Sequence, residues 1–386
     1  MKKKVLRVAA IPGSLAGLLN GQLKYLNQYY EVIGLASEGK RHKDIRENEN
    51  IRTIPVNISR RISPFQDLVS LYKLYIIFRK EKPFLVHSIT PKAGLLSMVA
   101  AYLARVPHRA HTFTGLIFPT KEGFMKKILI FFDKIICFCA TTIYPEGQGV
   151  KNDLINYNIT GKPLKIIANG NVNGVDVQYF DPSLFPQNSI VELRTKYKYT
   201  LDDFVFLFVG RIVNDKGIIE LINAFTQLET IKPNIKLLLV GTFESDLDPI
   251  PSHIENEIQS NPNILHVGHQ NDVRPFFALS NILVLPSYRE GFPNVILQAG
   301  AMGKYCIVTD INGSNEIIKN GENGAIIPVK NSFALMEQMK YCLEHKTNYA
   351  APNDSYRQII VDKFEQQIVW EALLKEYKSM EIKDIK

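Results

Sequence analysis

The sequence predicts two doubly wound α/β domains in series. Three observations predict it. Short runs rich in Val, Ile, Leu and Phe alternate with helical stretches. The alternation restarts past the middle of the chain. A segment with two prolines, Tyr179–Ser189, separates the two series. The apolar runs lack polar alternation, as parallel strands covered on both faces do.

In the first series, Val5–Ile11, Tyr30–Ala36, Phe84–His87, Arg109–Phe113, Lys134–Ile143 and Lys165–Ala168 are expected as strands. Phe65–Glu81 and Ala93–Ala104 are helices between them. In the second, the expected strands are Phe204–Val209, Lys236–Val240, Ile264–Val267, Ile282–Leu285 and Tyr305–Thr309, with helices at Leu221–Leu228 and Pro293–Met302. A last helical stretch, Phe364–Met380, lies beyond the second sheet. The expected domains are 1–187 and 188–361, with a terminal helix, 362–386, packing back on the first. Ligands of such sheets bind outside the carboxyl ends of the strands, so two linked domains are expected to face a central cleft.

Composition narrows the class. The chain has 386 residues, 46% of them apolar and 22% charged, which excludes a disordered, collagenous or disulfide-knotted protein. The four cysteines, Cys137, Cys139, Cys306 and Cys342, form no CxxC pair, so a thiolate zinc site is not expected and a reducing compartment fits. The basic start, MKKKVLRVAAIPGSLAGLLNG, is broken by Arg7 and Pro12, unlike a signal peptide. No apolar run is long enough for a membrane span. Residues 1–187 hold 26 Lys/Arg against 13 Asp/Glu, and residues 188–386 hold 20 against 25. A basic half suits a phosphorylated substrate, an anionic lipid surface or nucleic acid, and equally a solvated face. No RNA-binding aromatic motif or recognition helix stands out, so a nucleic-acid partner is not expected.

Two segments carry the chemistry. Gly210-Arg211-Ile212-Val213-Asn214-Asp215-Lys216-Gly217 follows a strand and opens a helix. Two cations beside free backbone N–H groups suit a diphosphate, although a surface turn with solvated cations fits too. The segment is neither a P-loop nor a GxGxxG fingerprint. Leu285-Pro286-Ser287-Tyr288-Arg289-Glu290-Gly291-Phe292-Pro293-Asn294 also follows a strand. Glu290 can accept hydrogen bonds from sugar hydroxyls, and the N–H groups of Gly291 to Asn294 can face a phosphate. A helix start with a dipole-favoured acid is the plainer alternative. In the first half, Pro12-Gly13-Ser14 follows the first strand, and Lys92 stands at a helix start where a phosphate or solvent suits it. Lys121–Asp133 (KEGFMKKILIFFD) mixes lysines with large apolar residues, which fits a membrane surface or a core helix with a charged rim.

These pieces carry a resemblance. GRIVNDKG (210–217), VLPSYREGFPNVILQAGAMG (284–303), TDINGSNEII (309–318), NGENGAII (320–327) and NGVDVQYFDP (173–182) together resemble a family 4 retaining glycosyltransferase. HSITPKAGLL (87–96) and HTFTGLIFP (111–119) are similar to the members that extend polyprenyl-diphosphate-linked sugars in bacterial glycan and capsule pathways. The resemblance implies two Rossmann-like domains (the GT-B fold), the first binding acceptor and the second donor. It implies a UDP-sugar donor, an N-acetylhexosamine before a plain hexose, and no metal or other cofactor. It also implies work at the cytoplasmic face of the inner membrane as a peripheral protein.

Roles follow by position. Arg211 and Lys216 match the cations on the donor diphosphate, and Glu290 the acid on the donor sugar. Gly291, Phe292, Pro293 and Asn294 match the loop around sugar and phosphate, with Gly13, Gly210 and Gly241 near the donor. Uracil and ribose are expected near Gly241–Phe243, Gly268–Val273 and Gln298. The family has a second acid eight residues after Glu290, where this chain has Gln298. Its amide oxygen can still accept from a ribose hydroxyl, about 1 kcal/mol more weakly without the charge. Thr114-Gly115 stands where the family often has His-Gly, which leaves His111 and His87 as candidate catalytic histidines. Lys92, Thr114, Lys126 and Lys127 are the acceptor-side candidates. A non-catalytic nucleotide-sugar-binding subunit and a sugar-nucleotide epimerase or phosphorylase of similar shape are the alternatives.

Overall fold

Twelve parallel strands build two six-stranded sheets among residues 2–59, 63–244 and 248–383, which the computed structural model describes. The first sheet comprises β1 (Lys4–Val8), β2 (Glu31–Ala36), β3 (Arg52–Pro55), β4 (Leu85–Ile89), β5 (His108–Phe113) and β6 (Thr142–Pro145). Its order is β3-β2-β1-β4-β5-β6. The second comprises β7 (Phe204–Val209), β8 (Ile235–Val240), β9 (Ile264–His266), β10 (Ile282–Leu285), β11 (Tyr305–Thr309) and β12 (Gly324–Ile327), in the order β12-β11-β10-β7-β8-β9. Both are doubly wound, and each has one switch point, between β1 and β4 and between β7 and β10. The central strands are buried on both faces, which is why they read as unbroken apolar runs.

Four elements differ from expectation. Residues 134–139 continue the helix Gly123–Cys139, and only Thr142–Pro145 is strand. Leu129, Phe132, Ile136 and Cys137 turn inward at helical spacing, but apolar residues on the outer face hide that period. Lys165–Ala168 is not a strand; Leu164 alone bridges to Ile143. The edge strands β3 and β12 have four residues each, too short for a clear pattern.

The chain divides into one unit of residues 1–174 and 366–386 and another of 175–365, not at 187/188 and 361/362. The cause is local. Val175 N donates to Phe364 O (2.8 Å), and Arg357 donates to the carbonyls of Val177 and Phe180 (2.7 Å each). These bonds tie the start of the proline-containing segment to the second unit. The helix Gln366–Lys383 belongs to the first unit: Leu373, Leu374, Tyr377 and Met380 are buried with Val5, Tyr30 and Leu85. Trp370 Nε1 donates to Asn173 Oδ1 (2.7 Å). Residues 384–386 of the expected terminal helix lie outside the described residues.

Candidate functional site

The second unit brings its two motif segments together at the switch point. The Arg211 loop leaves the carboxyl end of β7, and the Glu290 loop leaves the neighbouring β10. Lys216 Nζ bonds Glu290 Oε1 directly, so the expected diphosphate cation and sugar acid are partners, both largely buried. Arg211 Nη1 lies 2.6 Å from Glu244 Oε2 and is more exposed. An anionic diphosphate would compete with both carboxylates for these cations.

A second set of contacts, not foreseen from sequence, locks the two loops. Arg289 Nε lies 2.8 Å from Asp215 Oδ2, and Tyr288 N donates to Asp215 O at 2.8 Å. Tyr288 OH donates to Glu220 Oε2 at 2.6 Å. The phenol pKa is raised, by burial first and then by the Glu220 carboxylate. Backbone geometry adds to the lock. Gly217 has φ +69°, and a Cβ there would overlap the Pro286 carbonyl. Gly241 has φ +148°, and a Cβ would overlap the Gly210 carbonyl. Neither position accepts a side chain.

Around these loops the expected donor groups sort themselves. Pro293 caps the helix Asn294–Ala301 rather than opening its first turn. The Phe292 ring is buried against Phe364 (centroids 5.5 Å apart), so only its backbone can serve a ligand. The Gly291 carbonyl is backed by Gly313, where a Cβ would overlap it. Gln298 is half-buried, and among the described residues its side-chain amide makes no hydrogen bond. Near Gly241, Phe243 packs edge-on to His266 (4.8 Å), whose Nε2 lies 2.7 Å from Gly241 O. Gly268 accepts the Gly241 N–H through its carbonyl (2.9 Å).

The first unit has the same arrangement at β1 and β4. Gly13 lies in the short helix Pro12–Leu18 after β1, and Lys92 follows β4. Thr90, at the end of β4, has φ +71°, a strained backbone for a β-branched residue, and its Oγ1 accepts from Ala10 N (3.2 Å). Lys92 Nζ pairs with Asp67 Oδ1 at 2.8 Å. Thr114 is half-buried after β5. Lys126 turns onto Tyr157, with Nζ 3.3 Å from the hydroxyl, whereas Lys127 is exposed.

His87 and His111 are core side chains, against the expectation that one meets the substrate. Each is 1% exposed. His87 Nδ1 accepts from the Arg7 guanidinium (2.8 Å), so the proton sits on Nε2, which donates to Thr112 Oγ1 (2.8 Å). His111 Nδ1 lies 2.8 Å from Ser88 Oγ, and the ring fills the space a Cβ on Gly94 would need. Burial drives the His111 pKa down to about 3 and holds that of His87 well below the usual imidazole range, with Arg7 adding to the effect. Among the described residues no three His, Cys, Asp or Glu side chains group as metal ligands, and no helix is long and apolar enough to cross a membrane.

Comparison with known proteins agrees with this geometry. Residues 9–143 match the model of "Glycosyl transferase 4-like" proteins, and residues 190–358 that of "Glycosyl transferases group 1". The chain is 33% identical over 374 residues to the capsular polysaccharide biosynthesis glycosyltransferase CapM of Staphylococcus aureus, covering 96% of each chain. It is 30% identical over 307 residues to an Escherichia coli UDP-Gal:α-D-GlcNAc-diphosphoundecaprenol α-1,3-galactosyltransferase, covering 78% of this chain and 77% of that one. Its fold matches that of Anabaena HepE, crystallised with UDP-glucose (TM-score 0.81, 18% identity, 98% of this chain and 100% of that one). The chain belongs to the glycosyltransferase family that pairs a 4-like domain with a group 1 domain.

Proposed function

We propose that this protein transfers a sugar, an N-acetylhexosamine before a plain hexose, from a UDP-sugar to a polyprenyl-diphosphate-linked sugar in capsule or surface-polysaccharide synthesis. It retains the anomeric configuration and works without a metal, at the cytoplasmic face of the membrane. The observation that carries the reading is the meeting of Arg211, Lys216 and Glu290 at the β7/β10 switch point. The Staphylococcus and Escherichia relatives support the acceptor class through their printed activities.

In this reading the donor diphosphate draws Arg211 from Glu244 and shares Lys216 with Glu290. Those cations and the N-terminus of the helix Asn294–Ala301 stabilise charge as the bond from the anomeric carbon to the phosphate oxygen breaks. Glu290 accepts from the sugar hydroxyls and fixes the ring. The acceptor hydroxyl oxygen bonds the anomeric carbon on the face the diphosphate leaves, and its proton passes to a leaving phosphate oxygen. No enzyme nucleophile enters, and the two buried histidines take no part. Lys92 and Thr114 in the first unit serve the acceptor.

The test is transfer from a panel of UDP-, GDP- and ADP-sugars to polyprenyl-diphosphate-linked sugars, read by mass spectrometry of the lipid. The expected result is one added sugar from a UDP donor, undiminished by chelator. Glu290→Ala and Arg211→Ala each lower kcat/KM about 100-fold. Nucleotide binding with no product from any acceptor would favour a binding subunit.

A further inference from the structure

A cavity of about 450 Å³ lies within the first unit and has no part in the donor site. Three helices wall it: Pro64–Glu81, Pro91–Leu103 and Gly123–Cys139. It reaches residues 115–117 after β5 and Pro91 after β4, so it meets the carboxyl ends of the strands, where Lys92 and Thr114 stand. Leu95, Leu96, Leu116, Leu129, Phe132 and Ile136 make most of its lining. Its charged groups are few and specific. The Lys92–Asp67 ion pair (2.8 Å) is on one wall. Asp133 also lines the cavity and is 8% exposed.

The same helices carry apolar stripes on their outer faces. On Pro64–Glu81, Phe65 (79% exposed), Leu68 (65%) and Tyr72 (64%) follow one another at helical spacing. On Gly123–Cys139, Phe124 (78%), Phe131 (59%) and Phe138 (67%) alternate with exposed Lys127 and Lys134. Aromatic rings interleaved with lysines suit an anionic bilayer surface. An apolar cavity opening beside such a surface, with a lysine near the strand ends, fits a ligand with a long hydrocarbon chain and an anionic head.

We propose that this cavity holds the isoprenoid segment next to the diphosphate of the acceptor lipid, with Lys92 leaving Asp67 to bind the diphosphate. The proposal rests on the polyprenyl acceptor named above and adds where its chain is held. The cavity then selects acceptors by the lipid and not by the sugar alone. Burial raises the Asp133 pKa to about 7, which lowers the cost of facing an apolar chain by favouring the protonated acid.

The test uses the full chain and geranylgeranyl diphosphate as probe. The parent should bind it at least 100-fold more tightly than inorganic diphosphate, by calorimetry. Leu95→Trp and Leu129→Trp, which fill the cavity, should each weaken that binding at least tenfold, with UDP binding and the melting profile unchanged. Equal binding by parent and filled variants would overturn the proposal. So would a diazirine-bearing geranylgeranyl diphosphate that labels the parent outside the three walling helices, a readout that needs no variant. In detergent, filling should raise KM for the lipid-linked acceptor at least tenfold and leave kcat in place. Loss of vesicle binding alone, with that KM unchanged, would assign the cavity to a membrane phospholipid and also overturn it. Chain binding lost on filling, in a parent that transfers no sugar, would retain the cavity assignment and reject the acceptor reading.

Discussion

Lys216 and Glu290 partner one another, and so do Arg211 and Glu244, so each cation expected on the diphosphate already faces a carboxylate. The fixed part of the site is the backbone beneath them. Gly217→Ala would place a Cβ at φ +69° against the Pro286 carbonyl. The left-handed conformation alone costs about 1–2 kcal/mol for an L-residue, and the overlap adds to it. UDP affinity, measured by calorimetry, should drop at least tenfold; unchanged affinity would show that the loop spacing does not matter. The histidines give a second residue-scale expectation. Their folded pKa values are depressed below the unfolded value near 6.5, so the stability they confer is complete above that pH and is lost as pH falls, for His111 toward about 3. Between about pH 7 and 5, His111 should cost the first unit about 2 kcal/mol in urea unfolding, with His87 acting in the same direction. The transfer rate should show no imidazole titration; an inflection near pH 6.5 removed by His111→Gln would put that ring back in the chemistry. That the Arg211–Lys216 and Glu290 segments leave strand ends was legible in the sequence, because each follows a short apolar run. The burial of His87 and His111 was not, since it depends on Arg7, Ser88, Thr112 and Tyr377, up to 290 residues away.

Among the elements, the helix Gly123–Cys139 does most to separate sequence from structure. Its inner face lines the cavity and its outer face shows Phe124, Phe131 and Phe138. Its second half, from Lys134, reads as a short apolar run that sequence alone does not separate from a buried strand, which is why it resembled one. Phe124→Ser with Phe131→Ser should cut binding to anionic vesicles at least tenfold in a sedimentation assay and leave UDP binding alone, because burying one such ring is worth about 1.5–3 kcal/mol. Unchanged sedimentation would remove this helix from the membrane contact. On the inner face, Asp133 has a folded pKa raised to about 7 by burial. Its ionisation therefore opposes folding as pH rises from about 4 toward 7, and the penalty is complete above that. Asp133→Asn should stabilise the first unit by on the order of 3 kcal/mol at pH 8 and by little at pH 4. Equal gains at both pH values would mean the effect is packing and not charge.

At the scale of the whole molecule, the two units differ in charge and in how the chain completes them. Residues 1–174 and 366–386 hold 30 Lys/Arg against 15 Asp/Glu, whereas 175–365 hold 16 against 23. The structural boundary sharpens the asymmetry visible in the sequence, because Asp176 and Asp181 move to the acidic unit. The repeated sheet order was legible from the repeated alternation, but the chain's return to the first unit is a matter of burial. Leu373, Leu374, Tyr377 and Met380 fill the core beside β1 and β4, and Tyr377 OH accepts from Arg7 (2.6 Å). Removing four such side chains forfeits about 6–12 kcal/mol, comparable with the whole stability of a domain. A chain ending at Glu365 should therefore lose the cooperative unfolding of its first unit while its second still binds UDP. Residues 175–365 alone should fold and bind UDP as the full chain does, since β7–β12 and both donor loops lie within them. Amide exchange read peptide by peptide separates the outcomes. Protection lost only from 1–174 supports the returning helix as the keystone of the basic unit, and protection lost from both would make the two units one cooperative body.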